Sequence, residues 1–313
     1  MMSRPPCPLG APHLRCSTLT DETTTLLDPR FLRLLERISY MLRGRIRGSR
    51  RGERRSTHRG QGSEFADHRA YAVGDDLRHL DWHLLARLDS LFIRLYEEQK
   101  EHTVHIVLDV SASMGCGKED YARKLAAALA YIALCGTDRV GVFAVRDTLE
   151  GTVGPLRSKA SIHRVFQFLE RLEFGGQTDL DRAIRDVARA SSTGTVVLIS
   201  DFLVPEGRVE ALRTLAGRGF KTLVLHVLSP EERNPPLGQD LTLIDAESGE
   251  ELTVTVDRTV RAAYLSELTR LTSELRDMCR NYGFTFVEVD TSTPLVDLVL
   301  GDLRKHGVVA SAV

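Results

Sequence analysis

The chain is short of the features that usually give a function away. Its 313 residues include five cysteines, Cys7, Cys16, Cys116, Cys135 and Cys279, an odd number with no Cys-x-x-Cys pair. That argues against a disulfide framework or a zinc knuckle and for reduced thiols. No excess of one charge exists either: 42 Lys and Arg stand against 43 Asp and Glu, a net −1. The bulk charge therefore directs the protein to neither nucleic acid nor a membrane. The longest apolar run, Leu125–Cys135, falls well short of the about 20 residues that cross a bilayer. No apolar segment follows Arg4, so a secretory signal is not expected and the cytoplasm is the expected location. Catalytic signatures are missing as well. There is no Gly-x-Ser-x-Gly elbow and no Gly-x4-Gly-Lys-Ser/Thr loop, and no Gly-x-Gly-x-x-Gly turn follows the first long apolar strand.

What is present divides into four stretches. Residues 1–28 are rich in Pro, Ser and Thr without periodicity and read as a disordered tail. Residues 29–59 combine an amphipathic helix with an Arg/Gly-rich linker. Asp28 is a good N-cap, Pro29 suits the first turn, and Phe31, Leu34, Leu35, Ile38, Met41 and Leu42 keep a 3.6-residue period, which predicts a helix over 29–42. The run "RGRIRGSRRGERRSTHRGQG" that follows reads as a solvated linker. Its alternative, attachment to nucleic acid, is weakened because no aromatic residue interleaves the arginines. Residues 29–59 are also the part of the chain suited to a membrane surface.

Residues 60–103 form a separate block, read as a small β-rich layer anchored by the single tryptophan, Trp82. His79, Asp81 and His83 alternate there, but no fourth ligand is evident, so they read as ordinary side chains. From residue 104 to 306, apolar strands alternate with amphipathic helices. That order predicts an α/β fold with a doubly wound, mostly parallel, Rossmann-like sheet.

Candidate chemistry sits at the strand ends. "VHIVLD" ends at Asp109, followed by Ser111 and Ser113; "TVVLISD" ends at Asp201; "GGQTDL" places Thr178 after two glycines. In doubly wound sheets ligands collect at the carboxyl ends of strands beside the topological switch. Asp109, Ser111, Ser113, Thr178 and Asp201 are all hard oxygen donors, a set suited to Mg²⁺ or Mn²⁺. Ser111 and Ser113 would ligate directly, Thr178 directly or through water, and the two carboxylates through water. Neutral hydroxyls leave such an ion under-neutralised, so an acidic side chain of a protein partner would complete its shell. Asp201→Ala is then expected to weaken metal and partner binding and leave the domain folded. The enzymatic alternative is a metal-dependent phosphoesterase or phosphotransferase using Asp109. The acid such an aspartyl enzyme needs two residues on is here Ser111.

"DVSAS" with Thr178 and Asp201 resembles the metal-ion-dependent adhesion site of von Willebrand factor A domains. "YAVGDDLRHLDWHLLARLDSLFIRLYEEQ" and "DAESGEELTV" resemble the bacterial family labelled domain of unknown function fifty-eight, over about residues 60–305. The resemblance implies a non-enzymatic adaptor working with a MoxR-type AAA+ ATPase in assembly or activation of a target. Members commonly carry transmembrane helices ahead of the block, whereas here only the amphipathic segment precedes it.

Overall fold

The computed structural model describes residues 26–40, 64–72, 74–97, 102–136, 138–191, 193–204, 207–236, 240–244, 251–255 and 257–311. The tail over 1–25, the arginine-rich run over 43–59 and the turn at Ser248-Gly249 lie outside the described residues. The chain divides into two compact units, one of residues 1–46 with 102–313 and one of residues 47–101.

The larger unit opens with α1 (Pro29–Leu35), where the Asp28 carboxylate accepts from Arg30 N at 2.6 Å. Two expectations fail here. The tail expected over 1–28 does not include Leu27, which is only 3 % exposed and joins the core. The helix expected over 29–42 stops at Leu35, and Ile38–Tyr40 forms a strand, β1, antiparallel to the C-terminal Val309–Ser311. A free strand edge offered from the far end of the chain outweighs a weak helical preference at Ile38-Ser39-Tyr40.

The smaller unit contains the strands β2 (Glu64–Ala70) and β3 (Phe92–Glu97), paired antiparallel, with α2 (Trp82–Leu88) between them. Leu80 and Ile93 are its buried apolar pair. Trp82, expected as the anchor, is 64 % exposed. Asp81, just before it, is the residue that fixes the local structure. Its carboxylate caps α2 through His83 N and Leu84 N and also receives Arg94 Nε and His68 Nε2. His79 and His83 lie on a 3₁₀ turn and the helix, not on one strand face.

The remaining elements build the sheet. They are β4 (Thr103–Asp109), α3 (Glu119–Cys135), β5 (Arg139–Val145), β6 (Leu149–Leu156), α4 (Ile162–Arg171), α5 (Leu180–Ala190) and β7 (Thr195–Ser200). After these come α6 (Arg208–Gly217), β8 (Lys221–Leu228), α7 (Pro230–Arg233), the hairpin β9 (Asp240–Ile244) and β10 (Glu251–Thr255), α8 (Arg258–Tyr282) and β11 (Thr285–Asp290). Six strands pair in the order β11-β8-β7-β4-β5-β6, all parallel except β6.

Both sheet faces are covered, which is why β4 and β7 are buried throughout rather than on alternate residues. Ile106, Leu108, Val142 and Ile199 pack with α3, α4 and the N-terminal segment; Val107, Val145, Leu198 and Val224 pack with α5, α6 and α8. Helix α3 is itself buried nearly all round, Leu125, Leu129 and Ile132 among others. Leu35 and Ile38 cover it on the side away from the sheet.

Candidate metal centre

The chain leaves β4 through α3 to β5 on one side and comes back, through α5, to β7 on the other. The carboxyl ends of β4 and β7 therefore flank the switch, where neighbouring strands depart in opposite directions and a crevice opens. Asp109 closes β4 and Asp201 follows directly on β7, so the two sequence-derived carboxylates meet at this point.

Asp109 is 1 % exposed. Ser200 Oγ donates to its Oδ2 at 2.7 Å and Ser111 N to its Oδ1 at 3.0 Å. Burial, and then the negative charge of Asp201, push its pKa up to about 6 despite these bonds. Both oxygens thus accept a hydrogen bond from within the protein.

The hydroxyls come next. Ser111 is fully buried and its Oγ lies 3.0 Å from Ser113 Oγ. They do not cap α3, whose cap position is Lys118 and receives no side-chain bond. The loop carrying Thr178 is laced to this turn by Gly175 N to Val110 O at 3.0 Å and Ala112 N to Gly176 O at 3.1 Å. Gly176 holds φ +77 there, and a Cβ would lie 2.9 Å from Arg146 Cδ, so glycine is the residue that permits the approach. Thr178 is not the cap of α5. Asp179 is, accepting from Arg182 N at 3.0 Å. Thr178 Oγ1 is left buried with no hydrogen-bond partner.

Asp201 is tied on both oxygens. Leu203 N donates to Oδ1 at 3.1 Å, and Lys118 Nζ donates to Oδ2 at 2.7 Å. Between Asp201 and the Leu203 donor the chain turns at Phe202, a fully buried residue at φ 53, a left-handed conformation that costs about 1–3 kcal/mol in a non-glycine residue. Three members of the cluster escaped the sequence analysis: Ser200, Lys118 and Glu232. Ser200 had a signal, since it is a hydroxyl that closes an apolar strand directly before Asp201. Lys118 and Glu232 had none, because each sits among charged or small residues that read as surface.

The donor set suits a hard divalent cation. Hydroxyls of Ser111, Ser113 and Thr178 supply neutral oxygens, one of them with no other partner, and two carboxylates stand behind them. Among the described residues no three His, Cys, Asp or Glu side chains gather as a metal-binding group, so a cation here would depend on the hydroxyls. Beside Thr178 opens a cleft of about 830 Å³, bordered by Asp179, Asp181 and the first turn of α6 at Gly207–Glu210.

Fold and site together define an α/β protein with a six-stranded, mostly parallel sheet and an oxygen-lined crevice at its switch point. The chain belongs to the family described as protein of unknown function DUF58, whose model matches residues 67–274. The uncharacterized protein Rv1480 of Mycobacterium tuberculosis is 27 % identical over 282 residues, 87 % of this chain and 89 % of that protein. The uncharacterized protein Mb1516 of Mycobacterium bovis matches to the same extent. Among solved structures, the conserved hypothetical protein BatB of Bacteroides thetaiotaomicron superposes with a TM-score of 0.41 at 18 % identity, over 66 % of this chain and 98 % of that one. An aerotolerance-related membrane protein of Bacteroides fragilis gives 0.38 at 18 % identity, over 65 % and 99 %. Among the described residues no helix is long and apolar enough to cross a membrane.

Proposed function

We propose that this protein is a von Willebrand A-like binding module whose crevice takes up Mg²⁺, or Mn²⁺ in its place, and captures an acidic side chain of a protein partner. One observation carries the reading. Thr178 Oγ1 is buried without a partner on a loop bonded to the turn that bears Ser111 and Ser113. A buried hydroxyl left unpaired costs about 1–3 kcal/mol, which a cation at that point would offset.

In this reading Ser111 and Ser113 hold the ion directly, Thr178 directly or through water, and Asp109 and Asp201 through water. Bound there, the ion supplies a positive vertex for a carboxylate brought by the partner. The protein's own part is to hold the oxygens in place. Ser200 and the Ser111 amide fix Asp109, the Gly175-Gly176 turn brings Thr178 in, and the cleft beside Thr178 gives the partner room. The module is a binder rather than an enzyme in this reading, because the position two residues after Asp109, where an aspartyl phosphate-transfer enzyme carries its acid, is Ser111. The sequence resemblance supplies a MoxR-type AAA+ ATPase as the partner and assembly or activation of a target as the task.

The test is the affinity of the full chain for a MoxR-type AAA+ ATPase from the same organism, measured in Mg²⁺ and in EDTA. The reading requires at least a tenfold loss in EDTA and the same loss in Thr178→Ala. Equal affinity with and without the metal would overturn it.

A further inference from the structure

Lys118 has no place in the binding scheme so far, yet it is a fully buried charge. Its side chain is 0 % exposed, with Nζ 2.7 Å from Asp201 Oδ2 and 2.5 Å from Glu232 Oε1. Lysine is seldom buried at all unless it is paired. Burial opposes its charge, and the two carboxylates outweigh that, so the amine stays protonated beyond the usual lysine range. Glu232 is itself fixed. Its Oε2 accepts from Ser229 N at 2.7 Å, and its N donates to Ser229 Oγ at 3.2 Å, the two bonds of a capping box on α7.

The Lys118 ammonium occupies Oδ2 of Asp201, one of the two oxygens through which that carboxylate would reach an ion or its water, and like charges a few ångströms apart in a poorly solvated site repel strongly.

We infer that Lys118 is a built-in competitor for the divalent cation, holding Asp201 and thereby setting how tightly the crevice takes up metal. The inference rests on the metal-dependent reading above and gives that site a regulator. Glu232 provides the ammonium with a second carboxylate to keep when Asp201 turns towards the ion, so uptake of metal does not leave a buried lysine unpaired.

The experiment is a Mn²⁺ titration of the full chain followed by electron paramagnetic resonance, with no partner and no activity involved. Lys118→Met removes the competitor. Lys118→Met combined with Glu232→Gln removes it at unchanged net charge, so a gain in the double variant reports release of Asp201 and not a more negative crevice. The double variant also leaves no unpaired Glu232, and it decides the matter where the single variant fails to fold. Mn²⁺ binding at least tenfold tighter in the double variant than in the unaltered protein, abolished again by adding Thr178→Ala, is the expected result. Binding equal to or weaker than that of the unaltered protein would overturn the inference and leave the metal reading standing. No binding by any variant would overturn both.

Discussion

The carboxylate of Asp201 receives the Lys118 ammonium at 2.7 Å, with both side chains wholly excluded from water. This pairing joins the start of α3 to the end of β7, two points 83 residues apart, across the crevice. It also changes what a substitution at the site should do.

From sequence alone, Asp201→Ala is a binding variant that leaves the fold intact. With Lys118 paired to it, the substitution strands a buried ammonium on Glu232 alone. Breaking a buried ion pair from one side costs about 3–5 kcal/mol, and the remaining partner keeps the loss near the lower end. Urea unfolding of Asp201→Ala should show that loss. A change under about 1 kcal/mol would mean that the pair contributes little.

Asp109 makes the metal-free protein less stable as pH rises. Its folded-state pKa is raised from 3.8 to about 6, by burial first and Asp201 second. Folding therefore takes up a proton between those values, and stability falls as pH climbs through that window. Asp109→Asn carries no charge at any pH. In EDTA, its advantage over the unaltered protein should grow from near zero at pH 4 to roughly 3 kcal/mol at pH 7. A gap that stays flat across the window would contradict this.

His226 acts in the opposite direction. Burial on β8, against the rings of Phe202 and Phe286, lowers its pKa from 6.5 to about 4. A buried base held neutral stabilises fully above its unfolded pKa and loses that contribution as pH falls towards the folded one. His226→Leu should remove the loss, so the change in melting temperature on going from pH 7.5 to pH 4.5 should shift towards stabilisation in the variant relative to the unaltered protein. An equal acid sensitivity would rule out His226 as a source.

The N-terminal segment is part of the core. Leu35 is fully buried against α3, Tyr131 OH donates to Glu36 at 2.7 Å, and Lys159 pairs with the same carboxylate. Leu35→Ala should cost about 2–5 kcal/mol, as other large-to-small core changes do. Substituting the exposed Arg30 should cost almost nothing. If Leu35→Ala is silent, residues 29–38 do not belong to the folded unit.

Much of the site was legible because two strands declare themselves. "VHIVLD" and "TVVLISD" are apolar without alternation, as strands buried on both faces must be, and each ends in an aspartate. The switch between them follows from the order of strands and helices. The role of Lys118 was not legible, since a lysine in a Gly-rich turn looks solvated until the topology brings Asp201 and Glu232 to it. Thr178 was identified for its hydroxyl, but only the structure hands the cap to Asp179 and leaves Thr178 unpartnered. The end of α1 was misplaced for a different reason. Ile38, Met41 and Leu42 continue the helical period, and the strand that captures Ile38 comes from residues 309–311, a partner that no local pattern announces.

Diffraction from crystals soaked in Mn²⁺, recorded to give an anomalous difference map, tests the central claim most directly. The account requires a peak within coordination distance of Ser111 Oγ and Ser113 Oγ, reaching Thr178 Oγ1 directly or through one water, and absent from crystals of Thr178→Ala. A map with no peak among those three hydroxyls at saturating Mn²⁺, or one that persists unchanged in Thr178→Ala, would contradict it.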